Sequence, residues 1–269
     1  MQNLRVAVVV CRAPFGEIED NLVRTGLWVE RATQAGAKLV CFPELNVTGY
    51  CNHTDITALA QPISGPAGAR LSALAQASGL IILAGLAEYN PTGLPFATHG
   101  VFWPNGKIDV YRKLHLAPNE SAFFSPGQDV PVFEATQATF GIQLCYDGHF
   151  PELATTMTQK GVQIIFMPHA SPRGDAAAKH QSWLRHLPAR AYDNSVFVVA
   201  CNQWGTNGRG LAFPGNALVV APSGNILAKR VEDEEGILVV DLKAEDLEAV
   251  RTHAMRHFFP NRRPELYVR

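Results

Sequence analysis

The chain contains no apolar run near the roughly 20 residues that a membrane-spanning helix needs. It also lacks an excess of either charge: 23 Lys and Arg stand against 24 Asp and Glu, a formal net charge of −1. No field of that size draws a protein to nucleic acid or to an anionic membrane surface. Cysteine is scarce, odd in number and scattered (Cys11, Cys41, Cys51, Cys145, Cys201), which excludes a disulfide framework of the secreted kind. CxxC and HExxH are both missing, and only His253 and His257 fall at a helical ligand spacing, so neither a metal nor another cofactor is expected. The opening "MQNLRVAVVVCRAPFGE" is too short in its apolar part for a signal sequence, and Pro14 interrupts it. The expectation is a soluble, cytoplasmic protein whose partner is a small molecule or another copy of itself.

What is present is alternation. Val6 to Val10 form a β-branched run, and "NLVRTGLWVERATQAGA" then places apolar residues at helical spacing up to Gly36. "KLVCFPE" reads as a second strand, "AGARLSALAQASG" as a helix, and "LIILAGLAEY" as a third strand whose unbroken apolar run suits a sheet covered on both faces. Strand, helix, strand, helix, strand implies right-handed crossovers and a largely parallel core.

The pattern then changes to a hairpin, "HGVFWPNGKIDVYRK", with Pro104, Asn105 and Gly106 as the turn. "VVAPSGNILAKR" repeats it, Pro222 matching Pro104, Gly224 matching Gly106, Ile226 matching Ile108 and Arg230 matching Arg112. Between the two hairpins lie "FGIQLCYD", the helix "PELATTMTQKG", "VQIIFMP", one helix from about Asp175 to Asp193, and "VFVVACNQ". Two related halves of this kind predict an α/β, four-layer α-β-β-α sandwich. No charge run or low-complexity segment marks a linker, so residues 1–269 read as one domain. The tail, about residues 253–269, carries aromatics among arginines and is expected to dock on a partner subunit.

Three segments place a reactive side chain where a strand stops, which is where open α/β sheets keep their sites. Glu44 follows Pro43 in "KLVCFPELNVTGY"; an acid there also reads as a helix cap. Lys113 ends the first hairpin in "VYRKLHLAP"; alone it is a solvated lysine. Cys145 follows Ile142 and Leu144 in "GIQLCYDGHF", where a buried packing cysteine is the bland alternative. Pro151 and Glu152 suit the start of a helix just beyond it. A cysteine at such a turn gains thiolate character from a helix terminus and a nearby ammonium. Acyl transfer then needs a base and oxyanion donors, and Glu44 and Lys113 are of the right types.

Taken together, "CFPELNVTGY", "YRKLHLAPNESAFFSPG" and "GIQLCYDGHFPE" resemble, in order and spacing, the nitrilase superfamily of carbon–nitrogen hydrolases. The likeness extends through "FMPHAS" to the tail, so it covers essentially the whole chain. The resemblance implies that Cys145 is the nucleophile, Glu44 the general base and Lys113 the stabiliser of the tetrahedral intermediate. It further implies that Glu120 orients the lysine, substrate or water, and that the Tyr146 backbone N–H is the second oxyanion donor. Tyr50, His149, His169 and Ala170 fall in segments that line the family's pocket, while Asp147 and Glu152 fall where members keep structural acids. A homodimer or larger even homo-oligomer is also implied.

"CYD" after the strand resembles amidase-like members, whereas nitrile-cleaving members usually show Trp and Glu there. Carbamoyl-amino-acid members commonly place arginines soon after the cysteine; this chain has Gly148 and His149, and Arg173 in "PHASPRGD" is a cation from another side. Gly148 is expected to leave a gap in the pocket. The reading is therefore an enzyme that opens a small amide through a cysteine thioester, with water as the second substrate. Carbamoyl amine and nitrile hydrolysis remain as alternatives, and a non-catalytic small-molecule-binding scaffold is the reading from a different class.

Overall fold

A computed structural model describes residues 1–267. Strand β1 (Leu4–Val10) leads to helix α1 (Ile18–Gln34), β2 (Leu39–Cys41), the short α2 (Ile56–Leu59), α3 (Pro66–Ser78), β3 (Ile81–Glu88) and the hairpin of β4 (Phe96–Phe102) and β5 (Ile108–Arg112). The second half runs β6 (Phe133–Glu134), β7 (Thr139–Ile142), α4 (Pro151–Gln159), β8 (Ile164–His169), α5 (Ala176–Leu184), α6 (Leu187–Asn194) and β9 (Phe197–Asn202). A small pair, β10 (Gly205–Thr206) and β11 (Ala212–Phe213), precedes the hairpin of β12 (Asn216–Val220) and β13 (Ile226–Arg230). Finally come β14 (Gly236–Leu242) and α7 (Ala244–Arg251).

The strands form two six-stranded sheets ordered β14-β1-β2-β3-β4-β5 and β13-β12-β9-β8-β7-β6. In each, three parallel strands (β1, β2, β3 and β7, β8, β9) carry an antiparallel hairpin on one side and an antiparallel edge strand on the other. The parallel core is as the sequence predicts, and the sheets as wholes are mixed. The apolar runs serve two faces. Val6, Val8 and Val10 join the core between the sheets with Phe140, Ile142 and Val199, while Ala7, Val9 and Cys11 pack under α1 and α3 with Trp28 and Leu71. Helices α4 and α6 cover the second sheet through Met157, Leu187 and Ala191. The outcome is the four-layer α-β-β-α sandwich.

The two hairpins match in detail. Trp103 N–H donates to Lys107 O and Ala221 N–H to Asn225 O, and Gly106 and Gly224 take φ of 84° and 82°, a region that favours glycine. One expectation fails. The helix from Asp175 to Asp193 is two helices, α5 and α6, parted at Arg185 and His186. Pro188 has no N–H for the Leu184 carbonyl and its ring crowds that oxygen, so α5 stops at Leu184. Strand β14 was not foreseen at all; it returns the end of the chain to the first sheet, with Leu4 opposite Leu242.

Candidate active site

The three segments meet at one end of the sheets. β2 ends at Cys41, and the chain turns sharply so that Leu45 takes φ 53° and Glu44 is 1% exposed. Lys113 follows β5 directly, its N–H still bonded to Ala97 O at 2.9 Å, and it too is 1% exposed. Cys145 stands three residues beyond β7 with φ 44° and opens a single 3-10 turn, Cys145–His149. A non-glycine residue at such a φ is strained and persists only where its surroundings hold it.

Asp147 does the holding. Its buried carboxylate accepts from Tyr111 Oη at 2.8 Å, Leu144 N at 3.0 Å and His115 N at 2.8 Å, and His115 Nδ1 lies 2.8 Å away. Arg190, reaching from α6, donates to Gly148 O and His149 O at 3.1 and 3.2 Å. The expected structural role of Asp147 thus has a geometry, whereas Glu152 is exposed in the first turn of α4.

Lys113 Nζ donates to Glu44 Oε1 at 2.8 Å and to Glu120 Oε1 at 2.9 Å. Glu44 Oε2 accepts from Ala170 N at 3.1 Å, and Glu120 accepts from Tyr50 Oη at 3.0 Å and from Ala117 N at 2.8 Å. Burial works against the Lys113 charge, but the two carboxylates outweigh it and hold its pKa well above the lysine range. Burial pushes the Glu44 carboxyl up to about 7, a rise that Lys113 opposes and Glu120 reinforces. Burial, followed by Glu44, pushes the Cys145 thiol up to about 12 against the pull of Lys113. Burial thus works against the expected gain of thiolate character, and α4, which begins six residues on, is too far along the chain to start at Cys145 itself.

A cavity of about 140 Å³ lies over these groups, lined by Tyr50, Glu120, Cys145, Tyr146, His149, Ala170, Ser171 and Arg173 among others. It is smaller than the roughly 300–1,000 Å³ of sites that take drug-sized ligands. A larger surface depression of about 460 Å³, beside the start of α5, contains none of the three reactive groups. The first internal bond of the 3-10 turn runs from Asp147 N to Leu144 O, so Tyr146 N–H precedes it and is one of the donors that a helix start leaves open.

Two expectations about the pocket change. His169 is not on the cavity wall: its Nδ1 lies 2.7 Å from Met167 O, its ring packs on Trp183, and burial drives its pKa well below normal. Nor does Gly148 open the cavity. A Cβ there would meet Met167, His186 and Leu187 at ordinary contact distance, beneath α6. His149 does line the cavity, stacked on His186 with its pKa lowered by burial and by Arg190. Tyr111, His115, Ser171, Lys179, Arg190 and Gln203, which donates to Glu44 O at 2.8 Å, were not anticipated. Tyr111, His115 and Ser171 fall inside the segments that carry the resemblance, whereas Lys179 and Arg190 reach in from α5 and α6, where no local pattern marks them. Among the described residues no three His, Cys, Asp or Glu side chains gather as a metal site requires.

Known proteins similar to this chain are readily found. A nitrilase from Pyrococcus abyssi is 32% identical, covering 99% of this chain and all of that one. An omega-amidase from Xenopus tropicalis is 31% identical over 86% of each chain. The structure of a Glu-to-Gln mutant of an amidase from Nesterenkonia sp. AN1, in which the acetamide moiety of fluoroacetamide has added covalently to the active-site cysteine, superposes with a TM-score of 0.84. It is 28% identical and covers 98% of this chain and 95% of that one. The pattern of the carbon-nitrogen hydrolase family matches residues 5–252, and a match of that span means that this chain belongs to the family.

Proposed function

We propose that the protein hydrolyses the carbon–nitrogen bond of a small amide through a thioester on Cys145. The observation that carries this is the Glu44 carboxyl, poised near neutrality between Lys113 Nζ and Ala170 N below a cavity that Cys145 lines. A base with a pKa near the working pH is what a thiol that rests protonated calls for.

Glu44 takes the thiol proton as sulfur attacks the amide carbon, and the oxyanion is held by Lys113 Nζ and Tyr146 N–H. The C–N bond breaks as Glu44 returns the proton to the departing nitrogen, which leaves as ammonia or amine. Glu44 then removes a proton from water, whose oxygen attacks the thioester and frees the acid and the thiol. Glu120 and Tyr50 keep Lys113 aimed. Amides rank above nitriles because two hydrogen-bond donors suit an oxygen anion, and because the residues after Cys145 resemble those of amidase-like members. The small cavity favours a short acyl chain.

The test is ammonia release from short amides, carbamoyl amines and nitriles by wild-type protein and by Cys145→Ala. Release from amides that is lost in the variant supports the reading. A nitrile as the fastest substrate, or release that survives the variant, overturns it.

An even homo-oligomer belongs to the same reading. The tail carries exposed Met255, Phe258, Leu266 and Tyr267, and Phe258 packs on the exposed Tyr192 of α6; residues 268 and 269 of the tail lie outside the described residues. All five cysteines are free, which fits the expected cytoplasmic setting.

A further inference from the structure

Arg190 lies on the buried face of α6 and is 8% exposed. Among the described residues no carboxylate lies within ion-pairing distance of it. Burial lowers its pKa, and Asp193 and Glu152 oppose that from further off. A buried guanidinium in this position is costly unless its donors are used. Two of them are: Nε donates to Gly148 O at 3.1 Å and Nη2 to His149 O at 3.2 Å. These carbonyls come directly after Asp147 O, which takes the N–H of Phe150 at 3.1 Å as the last bond of the Cys145–His149 turn. Helix ends leave such acceptors open, and a cation suits that end.

The rest of α6 is fixed to the same place. His186, one helical turn before Arg190, stacks its ring on that of His149 with centroids 4.6 Å apart, and Arg190 N–H donates to His186 O at 3.0 Å. Four residues further on, Asn194 Nδ2 donates to Arg190 O at 3.0 Å, and Thr155 Oγ1 of α4 donates to Asn194 Oδ1 at 3.2 Å. The break between α5 and α6 thus gives α6 its own direction, with a guanidinium at one end of the Cys145 turn. At the other end the Asp147 carboxylate holds Leu144 N.

We infer that Arg190 is a positioning residue for the nucleophile: by holding the Gly148 and His149 carbonyls it keeps Cys145 at its positive φ and the Tyr146 N–H aimed at the oxyanion. This rests on the amidase reading of Cys145. A non-glycine residue at φ 44° relaxes when its restraints are removed. The peptide that follows Cys145 carries the Tyr146 N–H, so relaxation turns that donor away. The flat carbonyl of a bound amide gains less from the donor than the tetrahedral oxyanion does. Loss of Arg190 therefore falls on kcat and leaves KM nearly unchanged.

The experiment compares wild type, Arg190→Met, Arg190→Lys and Arg190→Ala in butyramide turnover and in calorimetric titration with butyraldehyde. The aldehyde carbon bonds to Cys145 Sγ while the thiol proton passes to the aldehyde oxygen, giving a tetrahedral adduct with no leaving group. Arg190→Met should lower kcat by about ten- to a hundredfold, the worth of charge-assisted hydrogen bonds. KM should stay within about twofold, and butyraldehyde should weaken by a factor similar to that in kcat. Arg190→Lys keeps a cation but loses the fork, so it should recover part of both. Millimolar guanidinium chloride should restore part of the activity of Arg190→Ala and leave wild type unchanged. Thermal unfolding shows that each variant is folded; if Arg190→Met is not, Arg190→Lys carries the same comparison. An unchanged kcat in the folded variant, a loss confined to KM, or a butyraldehyde affinity equal to that of wild type would overturn the inference and leave Arg190 structural. Butyraldehyde adds to the thiol without breaking a C–N bond. Failure of wild type to hydrolyse any short amide therefore counts against the amidase reading, while the aldehyde titration still decides the role of Arg190.

Discussion

Glu44 and Lys113 meet at 2.8 Å although 69 residues separate them in the chain, and each is 1% exposed. Each is the first reactive side chain beyond a strand of the same sheet, so the ends of β2 and β5 bring them together from opposite sides of β3 and β4. Removing one partner from a buried pair leaves an uncompensated charge.

Lys113→Met should therefore fail twice. It leaves Glu44 and Glu120 facing one another without a cation, with an expected loss of about 3–5 kcal/mol of stability. It also removes an oxyanion donor, with an expected fall in kcat of about 10²–10³. Denaturant unfolding and steady-state kinetics check the two effects separately.

The pH profile follows from Glu44. The base works when ionised, so kcat/KM should fall as pH drops through about 7. Glu120 reinforces the rise of the Glu44 pKa; Glu120→Gln should move this acid limb to lower pH, at reduced activity. A limb displaced towards higher pH would contradict the assignment of Glu44 as the base.

Alkylation by iodoacetamide tests the resting thiol. Cys145 lines the cavity whereas the other four cysteines are buried, so mass mapping should find Cys145 as the first site labelled. With its pKa pushed up to about 12, the rate should still be climbing above pH 9. A plateau near neutrality would reveal a standing thiolate.

Light scattering should give an even-numbered assembly. Phe258→Asp and Leu266→Asp, which charge the exposed apolar part of the tail, should shift it towards the monomer with little change in the unfolding of each chain.

Much of this was legible from local pattern. The β-branched run Val6–Val10 and the matched turns at Gly106 and Gly224 predict strands and hairpins because they depend on neighbours in sequence. Glu44, Lys113 and Cys145 stand out because each follows a strand. Other features depend on what packs above them. The break before Pro188 was visible in principle as a proline inside a helical run. Strand β14 showed its own apolar run, "GILVVDL", but nothing local says that its partner is β1. The burial of His169 against Trp183, the inward aim of Gly148 and the reach of Arg190 to the Cys145 turn are tertiary facts. The desolvation that raises the Cys145 pKa is likewise a property of the folded interior.

The pairing of Leu4 with Leu242 bears on how the protein is made. Until residue 242 leaves the ribosome, the first strand to be synthesised presents an unpaired edge, and an edge of that kind invites pairing with other chains. Contacts this far apart in sequence form slowly, and larger proteins expose sticky surface while they wait. Nascent chains truncated before Gly236 should thus be the species that chaperones hold, with emergence of β14 as the step that closes the first sheet.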